Sequence, residues 1–152
     1  MAAVYPTRHS PAQIFASLIV GEGFATLPSA GSSWPIYVSR EPDSPDNVMS
    51  VFDTPGQNFG FDQFSGEGQD HPGVMIRFRS ADYETGWVKA AAVKQELDIG
   101  IYRRAVVIDG ITYTIASVTR RGDVNSLGSD GPNGKRRLFS LNATMVFNKI
   151  QS

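Results

Sequence analysis

His71 follows Asp70 and precedes Pro72-Gly73, so an imidazole stands beside a carboxylate, the pairing that general-base catalysis uses. No nucleophile or third member stands at a recognisable spacing from it, and a turn histidine is the simpler reading. Gly128 to Lys135 looks like a phosphate-binding loop. Its glycine spacing is one residue too long, Arg136 replaces the magnesium-holding Ser/Thr, and a strand pattern follows where a helix belongs. Asp123-Val124-Asn125 with Gly128 opens like a calcium loop, yet Leu127 occupies a ligand position and Gly134 the place of the closing glutamate. Asn142-Ala143-Thr144 spells a glycosylation acceptor, but inside an alternating, strand-like run. With no cysteine and only two histidines, His9 and His71, the chain excludes disulfides, thiolate metal sites, a cysteine nucleophile and a three-histidine metal site from one subunit. No catalytic residues, metal or cofactor are therefore expected. A small hydrolase or ligand-binding domain built on His71 is the alternative from another class.

The 152 residues amount to about one domain, 1–152, with enough apolar content (41%) for a substantial core. Only 19% is charged, below the usual quarter, which points to uncharged surface or to partners. A net charge of -1 argues against a dedicated nucleic-acid binder. No apolar run approaches the roughly 18 residues that span a bilayer, so no membrane partner is expected.

The elements that would hold these residues begin with a helix. Ser10-Pro11-Ala12-Gln13 supplies a cap, a first-position proline and the glutamine of a capping box. Ile14, Phe15, Leu18 and Ile19 form one stripe, and Gly21 and Gly23 end it. A secretory signal is a poorer reading of Ile14 to Val20, since one arginine precedes it and Glu22 follows. Trp34, Ile36 and Val38 share one side of a short strand. Val48, Met49, Val51 and Phe52 suggest a strand covered on both faces. Val74, Ile76 and Phe78 alternate with Met75, Arg77 and Arg79. A second helix is expected from Asp82 to Asp98, about 25 Å long, with Tyr83, Trp87, Ala90, Ala91 and Leu97 on its inner face and Gly100 stopping it. Asp109-Gly110 between Val106-Val107-Ile108 and Ile111-Thr112-Tyr113-Thr114-Ile115 signals a two-residue hairpin. Phe139, Leu141, Ala143, Met145 and Phe147 mark a long final strand. The expected class is α+β: a small, largely antiparallel sheet flanked by an N-terminal and a middle helix.

Two long loops are expected, at 54–71 and 121–134. The first carries Phe59, Phe61 and Phe64 among four glycines. Each phenylalanine gains roughly 2–3 kcal/mol on full burial, so they pack either on their own domain or on a neighbour. The second is bracketed by Arg120-Arg121 and Lys135-Arg136-Arg137. Its bases can meet acids of another subunit or, without sequence readout, the phosphates of DNA.

His71-Pro72-Gly73-Val74-Met75-Ile76-Arg77-Phe78-Arg79, then Asp82-Tyr83 and a helix ending in Glu96-Leu97-Asp98, resembles the minor capsid protein family of tailed bacteriophages. Ile111-Thr112-Tyr113-Thr114-Ile115, Arg120, Leu127-Gly128, Asp130, Arg137 and Phe139-Ser140-Leu141-Asn142 continue the resemblance, which spans roughly 11–148. It implies a tail terminator, or tail completion protein: a virion component assembled in the host cytoplasm. Such proteins form a ring, commonly a hexamer, that caps the tail tube protein and meets the head connector or stopper. In such a ring the bases at the ends of the 121–134 loop can make nonspecific contact with DNA in the channel. The insert at 54–68 is longer than the family pattern. The runner-up is another neck component, a head-completion or stopper protein.

Charge is split along the chain, with six more acids than bases in residues 1–75 and five more bases than acids in 76–152. In a ring, one expected edge carries Arg77, Arg79, Arg120, Arg121, Arg136 and Arg137, and the opposing edge Asp43, Asp46, Asp62 and Glu67.

Overall fold

The computed structural model describes residues 8–28, 33–62, 67–130 and 134–147; for 57–62, 67–70 and 130 it describes the backbone alone. The elements run α1 (Pro11–Gly21), β1 (Ile36–Val38), β2 (Val48–Asp62), β3 (Glu67–Ser80), α2 (Tyr83–Ile99), β4 (Tyr102–Ile108), β5 (Ile111–Arg120), β6 (Asn125–Asp130) and β7 (Arg136–Phe147). The class is α+β. One seven-stranded sheet has the order β1-β2-β3-β7-β5-β4, and β6 pairs with β7 alongside β5. All pairs are antiparallel except β1 with β2, which is parallel, so the sheet is mixed and larger than expected.

The full capping box forms at α1: Gln13 N–H donates to Ser10 Oγ, and Ser10 N–H donates to Gln13 Oε1 at 2.7 Å. Ile14, Phe15, Leu18 and Ile19 are buried as their spacing requires. The helix contacts β2 and β3 and also both edge strands, β1 and β4, so the sheet curls around it. The core face carries Met49, Val51, Val74, Ile76, Phe78, Phe139, Leu141 and Ala143, which meet by cross-strand register.

Helix α2 lies on the same face but is rolled relative to expectation. Its buried stripe is Gly86, Ala90, Val93 and Leu97, while Tyr83 and Trp87 are 52% and 39% exposed. The cause is Gly86, where a Cβ would stand 2.6 Å from Phe139 Cε2 and 2.9 Å from Ser80 Cβ. The backbone therefore comes down onto Phe139. Tyr83 and Trp87 stack on each other with ring centroids 6.5 Å apart, and both rings contact Phe139 from the side.

Within the loop expected at 54–71, residues 54–62 and 67–71 are instead the outer parts of the paired strands β2 and β3; 63–66 lie outside the described residues. Register shifts between Thr54 and Gln57, and between Asn58 and Phe61, take up Gly56 and Gly60 as irregularities of the ladder. Gly56 takes φ 65°, and a Cβ there would meet the His71 carbonyl and the Gly73 amide, so two backbones touch where the pattern read as a break. His71 is accordingly a strand residue opposite Gln57, not a turn histidine. The loop at 121–134 is likewise shortened by β6, whose residues Asn125 to Asp130 pair with β7.

The parallel β1–β2 pair needs a crossover, and residues 39–47 supply it by lying across the second face of the sheet. Arg79 lies beneath this strap with 1% exposure, donating to the carbonyls of Pro45 at 2.7 Å and Asp46 at 3.4 Å. Ala81 N–H donates to Asn47 Oδ1 at 2.9 Å and closes the strap's end.

Candidate functional site

The six arginines expected on one edge fall into different environments. Arg79 is buried beneath the strap and is removed from any edge. Arg77 pairs with Glu41 at 3.4 Å, and Arg136 donates to the Asp43 carbonyl at 2.6 Å and reaches Asp46 at 4.0 Å. Asp43 and Asp46 therefore stand beside Arg136 in the same chain. Arg120 holds Asp98 at 2.8 Å and the Gly122 carbonyl at 2.9 Å. Arg121 and Arg137 are exposed. Phe64 lies outside the described residues, as do the side chains of Phe59, Phe61, Asp62 and Glu67.

Three of the eight acids of the first half meet bases of the second half inside the fold. Glu22–Arg104 at 2.9 Å, Glu41–Arg77 and Asp46–Arg136 each join an acid of the first half to a base of the second. Such pairs, partly solvated, are worth about 0–1 kcal/mol each, so they set register more than they set stability. No group of three or more metal-ligating side chains occurs among the described residues. His9 is buried, with Nδ1 2.7 Å from the Tyr113 hydroxyl and Nε2 3.0 Å from Asp109 Oδ2. It ties the start of α1 to the β4–β5 hairpin.

Part of the surface that remains for partners is apolar. Tyr83, Trp87 and Val88 are exposed along α2, and Tyr102 and Val107 along the edge strand β4. Beside α2 lies an open groove of about 720 Å³ whose walls include Phe24, Trp34, Val88 and Ala92. Lys89 crosses it, with Nζ 5.6 Å from the Trp34 ring centre, 5.9 Å from that of Phe24 and 3.0 Å from the Phe24 carbonyl. Burial alone pulls the Lys89 ammonium below its usual pKa. Trp34 has φ 55°, a left-handed conformation that costs a bulky residue about 1–2 kcal/mol. None of this was legible as a site in the sequence. The available signal was a lysine set next to the alanine run Ala90-Ala91-Ala92 of a helix with an apolar inner stripe.

A family model described as "Bacteriophage tail terminator protein" matches residues 18–148. Among solved structures, a chain of "Virion of native gene transfer agent (GTA) particle" has a similar fold, with a TM-score of 0.50 and 15% sequence identity. That match covers 91% of this chain and 100% of that chain. No curated protein sequence matches this one.

Proposed function

The chain belongs to the bacteriophage tail terminator family, and from that premise we propose that its work is assembly without bond-making chemistry. Identical subunits close into a ring, a hexamer as is common for the family, on the end of the tail tube. One face of the ring seats on the tube protein, the other receives the head connector or stopper, and DNA passes through the channel. The observation that carries this reading is the span of the family match, which runs from within α1 to the end of β7.

The physical requirement is a head-to-tail contact that closes under rotation. Among the described strands the fold offers three outer ones for it: the seven-residue β4, the six-residue β6 and the three-residue β1, whose Ile36 N–H is already bonded to the Thr26 carbonyl. Edge strands carry unpaired backbone donors and acceptors that a neighbour can satisfy. Tyr102 and Val107 on β4 add apolar area, and exposed Arg121 and Arg137 give charge that steers encounter more than it adds affinity. The expected pairing of Arg77, Arg79 and Arg136 with another subunit's Asp43 and Asp46 is set aside, because these arginines are already engaged within one chain: Arg77 by Glu41, Arg79 by the Pro45 and Asp46 carbonyls, and Arg136 by the Asp43 carbonyl and the Asp46 carboxylate.

Solution mass tests this reading. The purified protein, measured alone and after mixing with purified tails, is expected to form a closed ring that remains bound to tail ends. A protein that neither forms a ring nor binds tails would overturn it.

A further inference from the structure

None of the residues lining the groove beside α2 belongs to β1 or β4, and what it holds points to a second kind of partner. A lysine on a helix surface ordinarily extends its ammonium into water. Lys89 instead lies against Trp34 and Phe24 and donates to the Phe24 carbonyl at 3.0 Å, where burial disfavours its charge and where no carboxylate among the described residues pairs with it. Glu84 also lines the groove but forms no ion pair with Lys89. The left-handed backbone at Trp34 leads directly into two hydrogen bonds with Thr26, Thr26 N–H to the Trp34 carbonyl at 3.1 Å and Ile36 N–H to the Thr26 carbonyl at 3.0 Å. The cleft is therefore built by strained backbone on one wall and by helix on the other.

We propose that this groove docks a segment of a different protein that presents a carboxylate next to a bulky apolar side chain. The carboxylate accepts from the N–H donors of Lys89 that the Phe24 carbonyl leaves over and supplies the counter-charge that a carbonyl lacks. The apolar side chain fills the space between Val88, which is 65% exposed, and the Trp34 wall. Charge complementarity selects the acid, because an ammonium in partly dehydrated surroundings gains more from a counter-ion than one in water.

A second copy of this chain is a poorer occupant. Its described acids beside exposed apolar side chains are already engaged: Asp98, next to Ile99, is held by Arg120, and Asp82, next to Tyr83, caps α2 through Thr85. Glu84, also next to Tyr83, lines the groove itself.

The test uses the full chain, labelled with ¹⁵N, and two peptides, acetyl-Leu-Glu-Phe-amide and acetyl-Leu-Gln-Phe-amide. The glutamate peptide is expected to shift the backbone amides of Val88, Lys89 and Ala92. Binding should weaken about tenfold or more with the glutamine peptide and with the Lys89→Met variant. Val88→Glu, at a solvent-exposed position that the fold tolerates, places an acid at the groove and should abolish binding even if Lys89→Met folds poorly. Equal binding of the two peptides, retention in Val88→Glu, or no shift at millimolar peptide would overturn the proposal. So would sedimentation showing self-association of the wild type that Val88→Glu removes, since the occupant would then be a second copy.

Discussion

The Arg79 guanidinium lies 2.7 Å from the Pro45 carbonyl oxygen, across a sequence separation of 34 residues and out of contact with water. This contact fastens the crossover between β1 and β2 to the back of the sheet. Arg79→Met keeps the side chain's length but leaves the Pro45 and Asp46 carbonyls without their donor. A loss of about 3 kcal/mol in urea unfolding is expected, the scale of a charged hydrogen bond removed from a buried acceptor. A loss below about 0.5 kcal/mol would show that the strap is held by something else.

Gly86→Ala sets two effects against each other. Helix propensity favours alanine by about 1 kcal/mol, while overpacking against Phe139 and Ser80 costs about 1–3 kcal/mol. The Phe139 contact at 2.6 Å belongs to a ring wedged under Tyr83 and Trp87, which cannot swing aside. Net destabilisation is expected, together with a change in tryptophan fluorescence from Trp87. A more stable variant with unchanged fluorescence would contradict this packing.

Contrasts of this kind separate what was legible in the sequence from what was not. Ser10-Pro11-Ala12-Gln13 and Asp109-Gly110 are local signals: capping box and two-residue turn form as read, with Asp109 at φ 51° and Gly110 at φ 78°. The alternation of Val74, Ile76 and Phe78 also holds, because one face of β3 meets both helices. The roll of α2 depends on a glycine, which contributes no hydrophobicity to a periodic pattern. The β2–β3 extension was hidden because Pro55, Gly56, Pro72 and Gly73 signal a break in sequence but form a bulge in a strand pair. The surface was least legible. Arg104 finds Glu22 and Lys89 finds Phe24 across 82 and 65 residues, distances over which composition shows a charge imbalance but not its partners.

Tyr113→Phe removes the hydroxyl that meets His9 Nδ1 and leaves the ring packing intact. A cost of about 1 kcal/mol is expected for this buried hydrogen bond, measured by urea unfolding at neutral pH. If the variant is as stable as the wild type, the link between the start of α1 and the β4–β5 hairpin does not hold the fold.

Acid should weaken the fold through two carboxylates held below their usual range. The Thr85 backbone N–H, then its hydroxyl, lowers Asp82; the Lys94 side chain, then the Val124 N–H, lowers Asp123. Each contributes stability above its unfolded pKa, near 4, that is lost as pH falls through the lower folded value. Glu96 has the opposite sign, since burial and the nearby Glu22 raise it: it favours folding below its unfolded pKa and loses that effect as pH rises through the folded value. Asp82→Asn with Asp123→Asn should flatten the acid limb of stability against pH, and Glu96→Gln should steepen it. An unchanged limb in both would contradict these assignments.

Electron micrographs of particles assembled without this protein test the central claim most directly. If the subunits cap the tube, tails made in their absence should vary widely in length and remain unjoined to heads, and supplying the protein should restore one length. Tails of normal, uniform length in its absence, beside heads that leak their DNA, would contradict a terminator.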